Sequence, residues 1–229
     1  IVFDVNRALR GKMPFVWSDA YPARIGVMPR GGTNRDVRWA SVAACYVFHV
    51  ANAFEAEGRI VLDVARYAEL WRAESEKFQS AAELARWTID LSAMTVREET
   101  LDPRAMEFPR IDDRRTGLPY RYAYAASGDG TAAEGGADFA GLIRHDLQTG
   151  QSIRRDFGPG ALVSEFSFAP AGPGEDEGWL MGFVYDAAQA ASDFWILEAQ
   201  SLKPAARVRL PRRVPQGFHG GWFDGPPPR

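Results

Sequence analysis

Short runs of aliphatic, β-branched and aromatic residues recur along this chain, separated by turn-forming residues about every 8 to 12 positions. Almost no segment shows the 3.6-residue period of an amphipathic helix. The pattern predicts an all-β fold, and a sandwich, a barrel or a propeller would each satisfy it. Hairpin-linked strands fall into sets of about four, which favours a propeller.

One predicted hairpin places a histidine inside an apolar strand. Its strands are Cys45–Glu55 and Arg59–Tyr67, joined by a turn at 56–58. Both faces of the first strand are largely apolar, which predicts burial on both sides. His49 must then satisfy two ring nitrogens away from water. A metal on one nitrogen and an acceptor on the other would do so, and so would backbone groups around a core histidine.

The composition argues against several classes of function. A net charge of −3 without a basic stripe disfavours nucleic-acid binding, and no apolar run approaches the ~20 residues of a membrane-spanning helix. The chain shows no signal peptide pattern, and Cys45 is its single cysteine, so we expect a cytoplasmic protein. A zinc site made of Cys45, His49 and His219 is excluded, because the first two lie ~13 Å apart along a strand.

The two remaining histidines have contrasting surroundings. His219 lies in Gln216–Trp222, among glycines that allow close backbone approach and unusual φ angles. His145 lies between Arg144 and Asp146, just before a predicted hairpin turn. We expect His145 to be a solvated surface residue.

Three glutamates sit beside apolar or aromatic residues: Glu55, Glu107 and Glu165, the last within a predicted strand over Leu162–Ala169. A carboxylate in such surroundings needs a hydrogen-bond donor. One of the many arginines would supply it through a salt bridge. Alternatively, each carboxylate would accept the N–H of an imidazole whose other nitrogen binds a metal, which fixes the tautomer and orientation of the ring.

Six stretches of the chain together resemble the carotenoid cleavage oxygenase family, which includes apocarotenoid and lignostilbene oxygenases and the vertebrate retinoid isomerase. Their order and rough spacing agree with the family over nearly the whole chain. No single stretch is decisive, but six in register are specific. The stretches are Gly26–Arg30, Phe48–Glu55, Glu107–Asp112, Tyr120–Tyr122, Gly178–Leu180 with Val184–Asp186, and Gly217–Gly220.

The resemblance implies part of a seven-bladed β-propeller, about four blades of it. In that family four histidines hold an iron(II) on the propeller axis, and three glutamates lie behind them. His49 matches the third ligand and His219 the fourth. Glu107 and Glu165 match two of the supporting glutamates, and Glu55 matches a recurrent position after the third histidine.

The first two histidines and one glutamate of the family have no counterpart here, and His145 matches no ligand position. We therefore expect residues 1–223 to be the carboxy-terminal portion of an oxygenase propeller, followed by a Pro-rich tail at 224–229. The chain would be a fragment or a truncated gene product. It would bind iron poorly by itself, and its partner would be the missing amino-terminal half.

The reaction implied by the resemblance uses O₂ to cleave a C=C bond of an apolar conjugated substrate, a carotenoid, an apocarotenoid or a stilbene, into two carbonyl products. Phe48, Phe54, Trp222 and Phe223 would line an apolar tunnel or simply pack in a core. A non-catalytic β-propeller or sandwich used as a binding module is the rival interpretation. No clear amphipathic segment supports contact with a membrane.

Two geometric expectations follow. The imidazoles of His49 and His219 should converge to about 3–4 Å, the span of two neighbouring ligands with metal–nitrogen bonds near 2.1 Å. The carboxylate of Glu107 or Glu165 should lie within hydrogen-bond reach of the other nitrogen of one of these rings.

Overall fold

The computed structural model describes residues 1–72, 80–128, 139–215, 217–223 and 225. The regular secondary structure of the described chain is almost entirely β, as the sequence predicts. It forms two compact units, the first built from Ile1–Ala105 and the second from the described residues after that point. The predicted Pro-rich tail, apart from Gly225, lies outside the described residues, so its boundary stays a prediction. No described helix is both long and apolar enough to cross a membrane.

The first unit begins with a small two-stranded sheet interrupted by a helix. Strand β1 (Val2–Phe3) pairs with β2 (Phe15–Val16), and α1 (Val5–Leu9) lies between them in sequence. Asp4 caps this helix by accepting hydrogen bonds from two backbone N–H groups of its first turn. The helix has only five residues, too few for a hydrophobic period to reveal it in the sequence.

The rest of the first unit contains a hairpin and a four-stranded antiparallel sheet in which neighbours in sequence pair. The hairpin is β3 (Ala23–Val27) and β4 (Arg38–Val42); the sheet is β5 (Tyr46–Ala56), β6 (Arg59–Tyr67), β7 (Ala82–Asp90) and β8 (Val96–Asp102). Val64, Ala85 and Trp87 form the centre of a core cluster, against which Ile25 and Val42 of the hairpin pack. Burial of this shared face holds the hairpin against the sheet.

Strand β5 is not buried on both sides, contrary to the sequence prediction. Phe48 is 39% exposed and Val50 is 50% exposed. The strand lies at the edge of its sheet, with β6 on one side. The exposure of Phe48 and Val50 shows that an apolar pattern on both faces of a strand does not guarantee burial.

The second unit contains two antiparallel sheets. The first is β9 (Met106–Arg110), β10 (Tyr122–Ser127), β11 (Gly141–Asp146) and β12 (Gln151–Asp156); the second is β13 (Ala161–Val163), β14 (Ser167–Pro170), β15 (Gly178–Asp186), β16 (Ala191–Glu198) and β17 (Pro204–Arg209). Within the core of this unit Tyr124 stacks on Phe168, with ring centroids 5.8 Å apart. The sets of about four hairpin-linked strands expected from the sequence are therefore present.

The strand predicted over Leu162–Ala169 is broken in the middle. β13 and β14 both pair with β15, and residues 164–166 between them are not in a strand. The Ser164 hydroxyl accepts a hydrogen bond from the N–H of Phe183, while the N–H of Ser164 donates to the Phe183 carbonyl. These bonds occupy the backbone of β15 at the break and leave Glu165 out of the ladder.

Candidate metal centre

His219 lies in an irregular segment of the second unit and is held by Glu165. Its Nδ1 lies 3.3 Å from Oε1 of Glu165, and the N–H of Gly220 donates to Oε2 at 2.7 Å. The expected contact between a glutamate and an imidazole nitrogen is therefore present. When Nδ1–H donates to this carboxylate, the ring would bind a metal through Nε2.

The carboxylate of Glu165 lies in the interior because the chain breaks between β13 and β14. Its side chain is only 4% exposed, whereas that of His219 is 55% exposed. A Cβ on Gly182 would lie 2.5 Å from the Phe166 ring and 2.8 Å from the Glu165 carbonyl oxygen. Glycine at 182 thus lets β15 pass close to the break that presents Glu165.

An arginine also reaches this carboxylate. Nη1 of Arg110 lies 3.6 Å from Oε1 of Glu165, and its Nη2 donates to Oδ2 of Asp113 at 3.3 Å. The two alternatives drawn from the sequence, an arginine partner and an imidazole partner, therefore occur together at Glu165. The sequence analysis singled out the stretch Glu107–Asp112, which contains Arg110, but it did not predict that Arg110 would contact Glu165.

A β-bulge in β9 brings a second residue to His219. The pairing of β9 with β10 shifts register between Tyr124 and Ala126, and Phe108 has a φ of 53°. The Phe108 ring meets the imidazole of His219 edge-on, with centroids 6.1 Å apart and planes at 73°. Bulges of this kind re-aim side chains and are frequent beside functional sites.

Glu107 is buried in the same bulge, with 2% of its surface exposed. Its Oε2 accepts a hydrogen bond from the N–H of Phe108 at 2.6 Å. The burial expected for this carboxylate is confirmed, while its role behind a metal-bound histidine stays a prediction.

A pocket of about 420 Å³ opens beside Glu165 and His219 in the second unit. Most of its lining is apolar, with a few hydroxyl groups from serines and a tyrosine. Trp222 lines this pocket and is 45% exposed, and Phe223 is 76% exposed. Neither side chain therefore packs in a core, which was the alternative to a tunnel drawn from the sequence. The apolar wall includes Leu162, Met181, Phe183, Phe194, Val214 and Phe218.

His49 lies on β5 where the strand departs from regular pairing with β6. The register shifts once between Val47 and Val50 and again between Val50 and Asn52. The simple alternation predicted for this strand therefore cannot be carried through His49, and the bulges set the direction of its side chain. The ring is half-buried, with Phe48 6.3 Å away. The predicted convergence of His49 with His219 stays a prediction, because they belong to different units.

The aromatic and acidic neighbours of His49 lie in less apolar surroundings than the sequence suggests. Glu55 is exposed near the end of β5, where it pairs with Ile60 across the hairpin. Its predicted apolar setting is therefore wrong. Phe54 is half-buried, and Phe48 is an exposed member of a cluster of rings that includes Tyr46 and the buried Trp71.

His145 is buried, which contradicts the surface position predicted for it. It is 2% exposed, and its Nδ1 lies 3.0 Å from the Ser152 hydroxyl on the neighbouring strand. Strand alternation turns its side chain to the face opposite Arg144 and Asp146. Those two charged neighbours reach Asp176 and Arg121, respectively.

Cys45 belongs to a different pocket, of about 380 Å³, in the first unit. Burial raises the pKa of its thiol to about 11, and the nearby charge of Glu98 acts in the same direction. A metal ligand must be the thiolate, so Cys45 is a poor candidate for one.

The described residues contain no group of three or more His, Cys, Asp or Glu side chains that could hold a metal ion. The site that they do offer is one imidazole whose Nδ1 is held by a buried carboxylate. This arrangement fits a ligand of a metal centre completed by other histidines, and it does not by itself form a complete cage.

Comparison with known proteins identifies the family. The family described as retinal pigment epithelial membrane protein, RPE65, matches residues 1–224. The chain is 40% identical over 222 residues to a carotenoid cleavage oxygenase of Mycobacterium tuberculosis, covering 92% of this chain and 44% of the relative. It is 35% identical over 213 residues to apocarotenoid-15,15'-oxygenase of Synechocystis, covering 88% and 43%.

Solved structures agree with this assignment. The cobalt-substituted Synechocystis apocarotenoid oxygenase matches with a TM-score of 0.79 and 33% identity, over 88% of this chain and 44% of that one. A chimera of apocarotenoid oxygenase and RPE65 matches with a TM-score of 0.81 and 30% identity, over 90% and 45%. The chain thus spans less than half the length of each of these relatives, and its fold is all-β and corresponds to part of the carotenoid oxygenase propeller. It belongs to the RPE65/carotenoid cleavage oxygenase family.

Proposed function

We propose that this chain supplies part of the iron(II) centre of a dioxygenase that cleaves a C=C bond of a carotenoid, an apocarotenoid or a stilbene. The products would be two carbonyl compounds. The observation that carries the proposal is the contact of the buried Glu165 carboxylate with Nδ1 of His219. A carboxylate behind an imidazole is the usual support of a metal-bound histidine.

A metal at this position has further support. One matching structure is described as a cobalt-substituted apocarotenoid oxygenase, so that relative holds a metal. When bound, iron(II) would supply the activation of O₂ next to the substrate alkene. His49 and His219 would be two of its ligands. The other ligands would come from the region of the family's proteins that this chain does not cover.

The chain's own residues would position the ligand and shape the substrate site. Glu165 would keep the proton of His219 on Nδ1, so that Nε2 faces the metal. The pocket beside His219, with Phe183, Phe194 and Trp222 in its wall, would exclude water from an apolar polyene. No side chain needs to act as a nucleophile or a base.

The experiment joins this chain to the part of the Mycobacterium tuberculosis relative that it does not match, which gives a protein of full family length. We call this the joined protein, and a chimera within the family already exists as a solved structure. We expect it to contain iron and to convert an apocarotenal with incorporation of ¹⁸O from ¹⁸O₂. His49→Ala and His219→Ala should each remove both iron and turnover. Iron and turnover that survive both substitutions would overturn the proposal.

A non-catalytic binding module is the second candidate. It is favoured by the exposure of His219 and by the lack, among the residues described, of three or more metal-ligating side chains together. In that case the joined protein would bind an apocarotenal without iron, and the substitutions at His49 and His219 would leave binding unchanged.

A further inference from the structure

Arg110 shares an acceptor with His219. Oε1 of Glu165 lies 3.3 Å from Nδ1 of His219 and 3.6 Å from Nη1 of Arg110, while Oε2 accepts from the N–H of Gly220 at 2.7 Å. One buried carboxylate therefore faces three donors from two different segments. Its orientation decides whether the imidazole and the Gly220 amide can both be satisfied.

His219 depends on this carboxylate more than on packing. Residues 217–223 form no helix or strand, and the side chain of His219 is 55% exposed. The ring has an edge contact with Phe108, which fixes neither its rotation nor its tautomer. The hydrogen bond between Nδ1 and Oε1 of Glu165 can set both.

Arg110 is itself fixed from two sides. Its Nη2 donates to Asp113, at the start of a 3₁₀ turn over Asp113–Arg115. The side chain of Arg110 is only 21% exposed. The guanidinium is a planar fork, so holding one arm on Asp113 aims the other at Glu165. The bulge at Phe108 places this fork and the Phe108 ring on the same short strand.

We propose that Arg110 is a positioning residue for the metal-binding imidazole: it orients the Glu165 carboxylate, which in turn holds His219 and Gly220. This inference rests on the proposed function, because only under that function does the imidazole of His219 bind a metal. Without the guanidinium the carboxylate loses one of the three donors that orient it. Its hydrogen bonds with the Gly220 amide and the imidazole should then weaken, and the ring should be held less firmly in one orientation.

The test uses the 229-residue chain without metal. NMR would follow hydrogen exchange of the Gly220 amide and the ¹⁵N shifts of the His219 ring. In the unsubstituted chain we expect a protected Gly220 amide and the Nδ1–H tautomer. In Arg110→Ala, exchange at Gly220 should accelerate about 10- to 100-fold, the range for losing a hydrogen bond to a charged group. The ring shifts should move toward those of a mixture of tautomers.

Two further variants make the test specific. Arg110→Lys keeps the charge but not the fork, so it should give an intermediate exchange rate at Gly220. Arg121→Ala is the matched control, because Arg121 forms a comparable pair with Asp146 in the same unit and should leave Gly220 and His219 unchanged. If Arg110→Ala does not fold, the exchange rate at Gly220 and the ring shifts of His219 in Arg110→Lys test the inference instead. Unchanged exchange and ring shifts in the folded Arg110 variants would overturn the inference.

The outcome is distinguishable from failure of the proposed function. If His219→Ala retains iron in the joined protein, the iron assignment fails, whatever happens at Gly220 in the Arg110 variants. If His219→Ala loses iron while Arg110→Ala leaves Gly220 and the ring unchanged, the function stands and the positioning role fails. If both hold, Arg110→Ala should weaken iron binding by the joined protein about 10- to 100-fold.

Discussion

Two histidines of the same unit show opposite environments. His145 is buried on β11 beside the hydroxyl of Ser152, whereas His219 is largely exposed on an irregular segment beside the carboxylate of Glu165. Burial alone would select His145 as the special residue. The carboxylate partner selects His219, because an anionic acceptor on Nδ1 raises the basicity of the ring and fixes it for metal binding. Under the proposed function, the chemistry of the partner rather than burial points to the ligand.

The largest expected difference between the two histidines is in iron content. In the joined protein, His219→Ala should remove nearly all bound iron because a ligand is lost. His145→Ala should leave the iron content per folded molecule unchanged. Iron would be measured by mass spectrometry after gel filtration. Equal losses in the two variants would remove the distinction between them.

The partner of His219 should have the next largest effect. Glu165→Gln keeps the size of the side chain but removes the charge that holds Nδ1–H and the Gly220 amide. We expect iron affinity to fall about 10- to 100-fold, as measured by competition with a chelator. As a control, Ser152→Ala removes the partner of His145 and should not change iron affinity. An unaltered affinity in Glu165→Gln would mean that the carboxylate is not a support of the metal centre.

The free energy of unfolding should depend more on His145 than on His219, the reverse of the order expected for iron content. His145→Ala leaves a cavity in a buried strand and should lower the free energy of unfolding by about 2–3 kcal/mol. His219→Ala removes an exposed ring and should cost about 0.5 kcal/mol or less. Urea unfolding of the 229-residue chain would measure both values. A cost for His219→Ala as large as that for His145→Ala would show that His219 is a structural residue.

The smallest expected effect is on the pH dependence of stability, and it comes from Asp146, the neighbour of His145 on β11. The Arg121 guanidinium holds the pKa of the Asp146 carboxyl well below its usual range. Because the folded pKa is depressed, this stabilisation is present above the unfolded pKa near 4 and disappears as the pH falls through the folded value. Arg121 is 41% exposed, so solvent screening limits the contribution to about 1 kcal/mol or less.

The corresponding test compares Asp146→Asn with the unsubstituted chain at several pH values. The difference in the free energy of unfolding should be largest at pH 7 and should shrink below about pH 4, where the Asp146 carboxyl becomes protonated in the unfolded chain while it stays ionised in the folded one. Chemical denaturation at each pH would provide the values. A difference that grows on acidification would contradict the sign of the pKa shift.

The strands were largely predictable because their signals are local. The two strands of the β5–β6 hairpin begin and end within one residue of the bounds that the pattern of apolar residues indicates. Strand alternation also contained the information needed to bury His145 opposite Arg144 and Asp146, but the flanking charges suggested a surface position instead.

The geometry of the candidate site was less predictable because it lies at irregularities of pairing. The bulges at His49 and Phe108 and the break at Ser164 each depend on how a strand pairs with its neighbour, which the apolar pattern of a single strand does not encode. The family resemblance led to Glu165 and His219, and their contact is present. The role of Arg110 required the bulged course of β9, which no local pattern encodes.

The most direct measurement is anomalous diffraction at the iron edge from crystals of the joined protein. We predict a peak about 2.1 Å from Nε2 of both His49 and His219, with Nδ1 of His219 still on Glu165. A peak bound elsewhere, or an ordered His219 ring with no iron beside it, would contradict the account.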